Sequence, residues 1–113
     1  MNELLLNIKS QLIYVLENQL KLKEEFFLRE FGTPDSPEII DDYFNKISDK
    51  IVLILENNYS FVMEKSLTLL SKLPGFNDLD SIQKDSLLTQ VKNFVENDLS
   101  IIIFNKISTR ILD

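Results

Sequence analysis

Apolar residues recur every three or four positions along almost the whole chain, which is the spacing of one face of an α-helix. Two clusters of proline and glycine interrupt this pattern, Gly32-Thr33-Pro34-Asp35-Ser36-Pro37 and Pro74-Gly75. The three segments between the breaks predict an all-α fold, an antiparallel bundle of three long helices. We expect a single domain over residues 1–113, with helices over about 2–31, 37–73 and 78–112.

Residues at the segment ends have the chemistry of helix caps. Gly32 follows the first apolar stripe and suits the left-handed residue that ends a helix. Asp35 and Glu38 have the spacing of a capping box, while Ser36-Pro37 offers a second start one residue later. The third helix has four candidate caps, namely Asn77, Asp78, Asp80 and Ser81.

Polar residues interrupt the helices at three places. Lys23-Glu24-Glu25 divides the first stripe and predicts a turn or a slight bend. Asn57-Asn58 and Asn97-Asp98 have low helix propensity, so the bundle has four to five helices if both sites break. We favour one long second helix, because the apolar phase continues through Asn57-Asn58. Ile51–Leu55 and Ser100–Phe104 also resemble buried strands, but the helical spacing on both sides favours helix.

Two segments are apolar on more faces than a small bundle can bury. Five residues at 100° each surround a helix axis, so Ile51–Leu55 is apolar all round and Ile101–Phe104 nearly so. Three arrangements would cover them: a more globular packing of broken helices, another protein chain, or a hydrophobic small molecule or acyl chain. We favour a protein, with a homodimer as the default because twofold dimers are the commonest oligomers. The predicted interface anchors are Ile51, Val52, Leu53, Ile54, Leu55, Ile101, Ile102, Ile103 and Phe104.

The composition excludes most catalytic chemistry. The 113 residues include no His and no Cys, which removes imidazole bases, thiolate nucleophiles and Cys/His zinc sites. Carboxylate pairs such as Glu24-Glu25, Asp41-Asp42 and Asp78 with Asp80 lie among polar residues, and they suit helix starts better than acid–base catalysis. We therefore expect a protein that is not an enzyme and has no cofactor or metal.

The charge pattern narrows the choice of partner. Twelve basic and 18 acidic residues give a net charge of −6, and no third of the chain is basic, which argues against nucleic-acid binding. The longest apolar run, Ile51–Leu55, is far short of the roughly 18 residues of a membrane span. The start of the chain lacks the basic, then apolar order of a secretory signal, so we expect a cytoplasmic protein.

These expectations combine into a functional prediction. The sequence favours a non-catalytic helical interaction module, a self-associating regulatory or adaptor protein that buries apolar helix faces. A small inhibitor or immunity-type antagonist of another protein and a binder of hydrophobic small molecules are the alternatives.

Overall fold

The computed structural model describes residues 2–34 and 40–112, and these residues contain six α-helices and no strand. The helices are α1 (Asn2–Gln19), α2 (Glu24–Phe31), α3 (Ile40–Asn57), α4 (Tyr59–Lys72), α5 (Ser81–Asn93) and α6 (Leu99–Leu112), with a π turn (Phe94–Asp98) between the last two. The predicted all-α bundle is confirmed, and both strand-like segments are helical. The predicted second-helix start near residue 37, with Asp35, Ser36, Pro37 and Glu38, lies outside the described residues.

Contacts between the helices arrange the chain as three rods. α1 packs against α4 and α5, while α2 and α3 both pack against α6. Rod 1 (α1 and α2) and rod 3 (α5, the π turn and α6) therefore run in one direction, and rod 2 (α3 and α4) runs antiparallel between them. The bundle measures 54 × 25 × 20 Å, and its radius of gyration of 16.0 Å exceeds the roughly 13 Å of a compact domain of this length.

The apolar stripes of the rods meet in two adjoining core clusters. The buried members of the larger cluster are Leu12, Leu16, Leu22, Phe27, Tyr43, Ile47, Ile51, Val62, Phe94, Leu99, Ile103 and Ile107. Those of the smaller cluster are Ile8, Leu70, Leu73, Leu87 and Val91. A core that is long and narrow leaves one side of every rod in water, as the amphipathic pattern predicts.

Rod 1 is broken between α1 and α2, so the expectation of one helix over about 2–31 is wrong. Lys21 takes a left-handed conformation with φ 57°, and the Leu22 N–H donates to the Glu17 carbonyl at 3.1 Å. This is the geometry of a Schellman C-cap, in which the residue after the left-handed one packs back on the helix. Leu22 is fully buried, and the turn falls just before the predicted interruption at Lys23-Glu24-Glu25.

Rod 2 is divided at one residue, Asn58. The break that we considered near Asn57-Asn58 is therefore present, and the favoured single helix becomes α3 and α4. The main-chain hydrogen bonds nevertheless cross it: the Asn58 N–H donates to Ile54 at 3.1 Å, and the Val62 N–H donates to Asn58 at 2.9 Å. The Asn58 side chain adds a bond to the Ile54 carbonyl at 2.7 Å. Because helical bonding persists, the apolar phase passes unbroken from Ile51 to Val62.

Rod 3 begins with a complete capping box. The Gln83 N–H donates to the Asp80 carboxylate at 2.7 Å, and the Asp80 N–H donates to the Gln83 side chain at 3.2 Å. Asp80 is thus the cap among the four candidates. Gly32, with φ 73°, ends α2 as predicted, because its N–H donates to the Leu28 carbonyl at 2.8 Å.

The π turn in rod 3 preserves the phase of the core. The Leu99 N–H donates to the Phe94 carbonyl, five residues back rather than four, and both side chains are buried. A continuous α-helix would place Asn97 and Asp98 on the core side of Phe94, three and four residues further on. The extra residue of the π turn keeps both of them exposed and brings Leu99 into the core. The predicted irregularity at Asn97-Asp98 is therefore a bulge in a continuing helix.

Deleting Asn97 tests this explanation. The deletion places Phe94 and Leu99 four residues apart, so an ordinary α-turn can replace the π turn without moving the core. We expect a free energy of unfolding in urea within about 1 kcal/mol of the parent protein. Deleting Asp49, which is also exposed, rotates the two halves of the α3 stripe by about 100° and should cost more than about 3 kcal/mol. Equal losses from the two deletions would contradict the role given to the π turn.

Candidate functional site

The nine predicted interface anchors fall into three groups. Ile51 and Ile103 are buried in the bundle core. Four are half-buried and pack against the core from outside: Ile54, Leu55, Ile102 and Phe104. Three are exposed: Val52 (37%), Leu53 (49%) and Ile101 (57%). The chain covers Ile51 and Ile103 by itself, so only the exposed and half-buried residues are accessible to a partner.

Val52 and Ile101 lie on the same side of the bundle. On α3, Val52 is about 160° around the helix from Lys50, which pairs with Glu30 of rod 1 at 3.6 Å. On α6, Ile101 is about 140° from Lys106, which pairs with Glu17 of rod 1 at 2.6 Å. Both apolar side chains therefore face away from rod 1. They lie on the side of the packed α3–α6 pair that is remote from rod 1. We call this side of the α3–α6 pair the outer face.

An open groove lies in the outer face where rod 2 meets rod 3. It is lined by Val52, Leu55, Glu56, Tyr59, Val62, Val95, Glu96 and Ser100. Sequence reasoning did not select Tyr59, Val95 and Glu96 as interface residues. A signal was present, because Tyr59 follows the predicted break at Asn57-Asn58 and Glu96 precedes the one at Asn97-Asp98. The groove therefore lies where the two irregular points of rods 2 and 3 meet.

A hydrogen bond ties these two points together. The Tyr59 hydroxyl donates to a Glu96 carboxylate oxygen at 2.8 Å, joining the first residue of α4 to the π turn. This hydrogen bond raises the pKa of Tyr59 above its ordinary value of 10.0, and the desolvation and the negative charge of Glu96 act in the same direction. The protonated phenol is thus the bound form, and Glu96 is held at the rim of the groove.

Aromatic rings in edge-to-face contact support the next turns of the α3–α6 seam. Phe44 and Phe104 meet edge to face with ring centroids 6.3 Å apart, and Tyr43 contacts Phe44 in the same manner at 5.2 Å. The Tyr43 hydroxyl donates to the Gly32 carbonyl at 2.6 Å, and burial raises the pKa of this phenol. Phe104, a predicted anchor, is therefore held by α3 of its own chain.

Ion pairs direct three of the four cations of α3 and α6 toward rod 1. Besides the pairs of Lys50 and Lys106, Arg110 contacts Glu24 of α2 at 3.3 Å. Among the eight residues that line the outer groove there is no cation, whereas two are acids, Glu56 and Glu96. The outer face therefore combines apolar residues with uncompensated negative charge.

Acids around the groove extend this negative surface. Asp49 on α3 and Asp98 in the π turn are both exposed. Within residues 2–34 and 40–112 neither of them, nor Glu56, takes part in an ion pair. Lys92, one turn before Glu96 on rod 3, is the nearest cation along that rod, and it also forms no ion pair. The acids thus outnumber the cations on this side of the bundle.

The remaining exposed apolar residues are dispersed. Leu53 has only polar neighbours one helical turn away on α3, namely Asp49, Lys50, Glu56 and Asn57. A second depression, lined by Leu20, Lys21, Phe26, Phe27, Glu30, Lys50 and Ile54, has cations as well as an acid on its walls. A third lies at the Pro74-Gly75 turn. Among these three depressions, only the outer groove has an exposed predicted anchor, Val52, in its lining together with charged residues of a single sign.

Metal-binding clusters of acids and membrane-spanning helices are absent from the described residues. In that part of the chain no cluster of three or more acids is placed to hold a metal ion. No helix there has both the length and the apolar character needed to cross a bilayer. Glu24, one of the carboxylates considered at the sequence level, contacts Arg110 as a structural ion pair.

Replacing Glu96 with Ala should lower the pKa of Tyr59 toward 10.0, because the carboxylate that accepts its hydrogen bond is lost. Tyrosine ring carbon shifts, followed by NMR through alkaline pH, measure this pKa directly. The hydrogen bond stabilises the fold below about pH 10 and is lost as the pH rises through the raised pKa of the folded protein. Glu96→Gln keeps an acceptor without the charge and should give an intermediate pKa. An unchanged titration in Glu96→Ala would show that Tyr59 and Glu96 do not interact in solution.

Comparison with known proteins provides no relative from which to transfer a role. No protein family, curated protein or solved structure matches this chain. The function is therefore inferred from the outer face itself, where the exposed Val52 lines an open groove with acidic walls.

Proposed function

We propose that this protein is a non-catalytic protein-interaction module that binds a helical segment of a partner through its outer face. The observation that carries the proposal is the placement of Val52, which is 37% exposed in the groove wall, while Ile101, 57% exposed, follows the lining residue Ser100 on α6. Exposed apolar patches on otherwise polar surfaces mark interaction sites. A groove between two packed helices suits an amphipathic helix, which lays its apolar face along it.

The groove supplies apolar surface for such a contact. Burial of a whole aliphatic side chain contributes about 1.5–3 kcal/mol, so completing the burial of Val52 and Ile101 contributes about 2 kcal/mol. Leu55, Tyr59 and Val95 in the groove wall add to this area. These contributions suit a regulatory partner that binds and dissociates, as expected of an adaptor or an inhibitor.

A second copy of the chain fits the outer face less well than a different protein does. A twofold dimer places the same surface on both sides, so it would bring together two grooves that each carry the acids Glu56 and Glu96. Like charges across an interface cost binding free energy. The homodimer expected from the sequence stays a prediction, as does the cytoplasmic location.

A hydrophobic small molecule is also less well accommodated. The three depressions described above are open to solvent, and a bound acyl chain would keep much of its length in water. Ligand sites usually enclose most of their ligand. A helix covers an open groove without needing an enclosed cavity.

A selection from a displayed library of helical peptides tests the proposal. We expect enriched peptides with an apolar stripe, and binding weakened about fivefold by Val52→Ser and by Ile101→Ser, each removing about 1 kcal/mol of apolar contact. Leu6→Ser and Ile82→Ser are matched controls, because both side chains are exposed but lie on α1 and at the start of α5. Equal effects of the four substitutions, or no enriched peptide, would contradict the proposal.

A further inference from the structure

We propose that the partner segment is a basic amphipathic helix, with Lys or Arg flanking its apolar stripe. This inference rests on the proposed function and specifies the chemistry of the partner. It combines the apolar groove with the distribution of charge around it.

The distribution of charge follows from contacts within the bundle. Three of the four cations on α3 and α6, Lys50, Lys106 and Arg110, reach across to acids of rod 1. The fourth, Lys46, is six residues before Val52 and lies about 120° from it around the helix. No cation of these helices lines the groove, so no cation in its wall offsets the two lining acids, Glu56 and Glu96.

The groove acids are arranged for contact with a partner's cations. Glu96 uses one carboxylate oxygen to accept from Tyr59 and retains the other for a partner. Glu56 lines the same groove and forms no ion pair in the described part of the chain. A helix with apolar residues at every third or fourth position carries its flanking residues along both walls, where Lys or Arg would meet these acids.

Other occupants match the outer face less well. A nucleic acid carries the same sign of charge as the groove walls, and so does an anionic lipid surface. A second copy would bring another acidic groove, with its own Glu56 and Glu96, against this one. A basic helix is the occupant that satisfies both the apolar surface and the charge.

The test uses a displayed library of helical peptides with a fixed apolar stripe and flanking positions drawn equally from Lys, Glu and Gln. We expect Lys to exceed Glu about tenfold at the flanking positions after selection on the full chain. Raising the salt from about 50 to about 500 mM should weaken a selected peptide at least about tenfold, because the charges are exposed to solvent. The double substitution Glu56→Lys with Glu96→Lys should weaken it by at least a similar factor.

Glu25→Lys with Glu64→Lys is the matched control, since it makes the same change of net charge at exposed acids on α2 and α4 that do not line the groove. It should leave binding within about twofold of the parent. Enrichment of Gln- or Glu-flanked peptides that still depend on Val52 would overturn the basic partner but not the proposed function. Sedimentation that shows a dimer dissociated by Val52→Ser would identify a second copy as the occupant. That result would also overturn the basic partner helix. Failure to enrich any peptide would count against both proposals.

Discussion

The hydrogen bond from the Leu99 N–H to the Phe94 carbonyl sets which side of α6 meets the core. By admitting one extra residue, the π turn lets rod 3 bury Phe94 and Leu99 while Asn97 and Asp98 stay in water. The same rotation fixes the rest of α6, because Ile103 and Ile107 follow Leu99 into the core at four-residue spacing. Ile101 is thereby placed on the outer face. The π turn therefore sets both the core residues of α6 and the side of the bundle on which Ile101 lies.

The ion pairs explain why the outer face is acidic in a chain that carries 12 cations. Glu17 is nearly buried, and its pair with Lys106 neutralises a carboxylate that would otherwise be costly to bury. Arg110 and Lys50 form more exposed ion pairs with Glu24 and Glu30 of rod 1. Because these pairs direct three of the four cations of α3 and α6 toward rod 1, the groove on the other side of the α3–α6 pair is lined by acids without a cation.

Periodicity predicted the stripes but not the turns between them. Gly32 and Asp80 carry recognisable capping chemistry, and both act as caps in the structure. Lys21 gives no such signal, since a left-handed lysine is set by the burial of Leu22 after it and not by its own preference.

The candidate site was predictable only in part, for a related reason. Ile51–Leu55 is apolar on every side, so its sequence contains no asymmetry from which to tell the buried Ile51 from the exposed Leu53. The neighbouring rods decide that distinction. In rod 3 the adjacent Ile102 and Ile103 are equally apolar, and the π turn places Ile103 in the core. The acids of the groove were visible in the sequence, but their position opposite the ion pairs is a property of the fold.

The outer face is apolar and uncovered in the free protein, and residue-specific solvent access measures this directly. A soluble paramagnetic agent broadens the methyl NMR signals of side chains that it can approach. We predict strong broadening for the methyl groups of Val52 and Ile101, and protection for those of Leu99 and Ile103, in the isolated chain. Protection of Val52 and Ile101 to the same degree as Ile103 would mean that the face is already covered, and it would contradict the account.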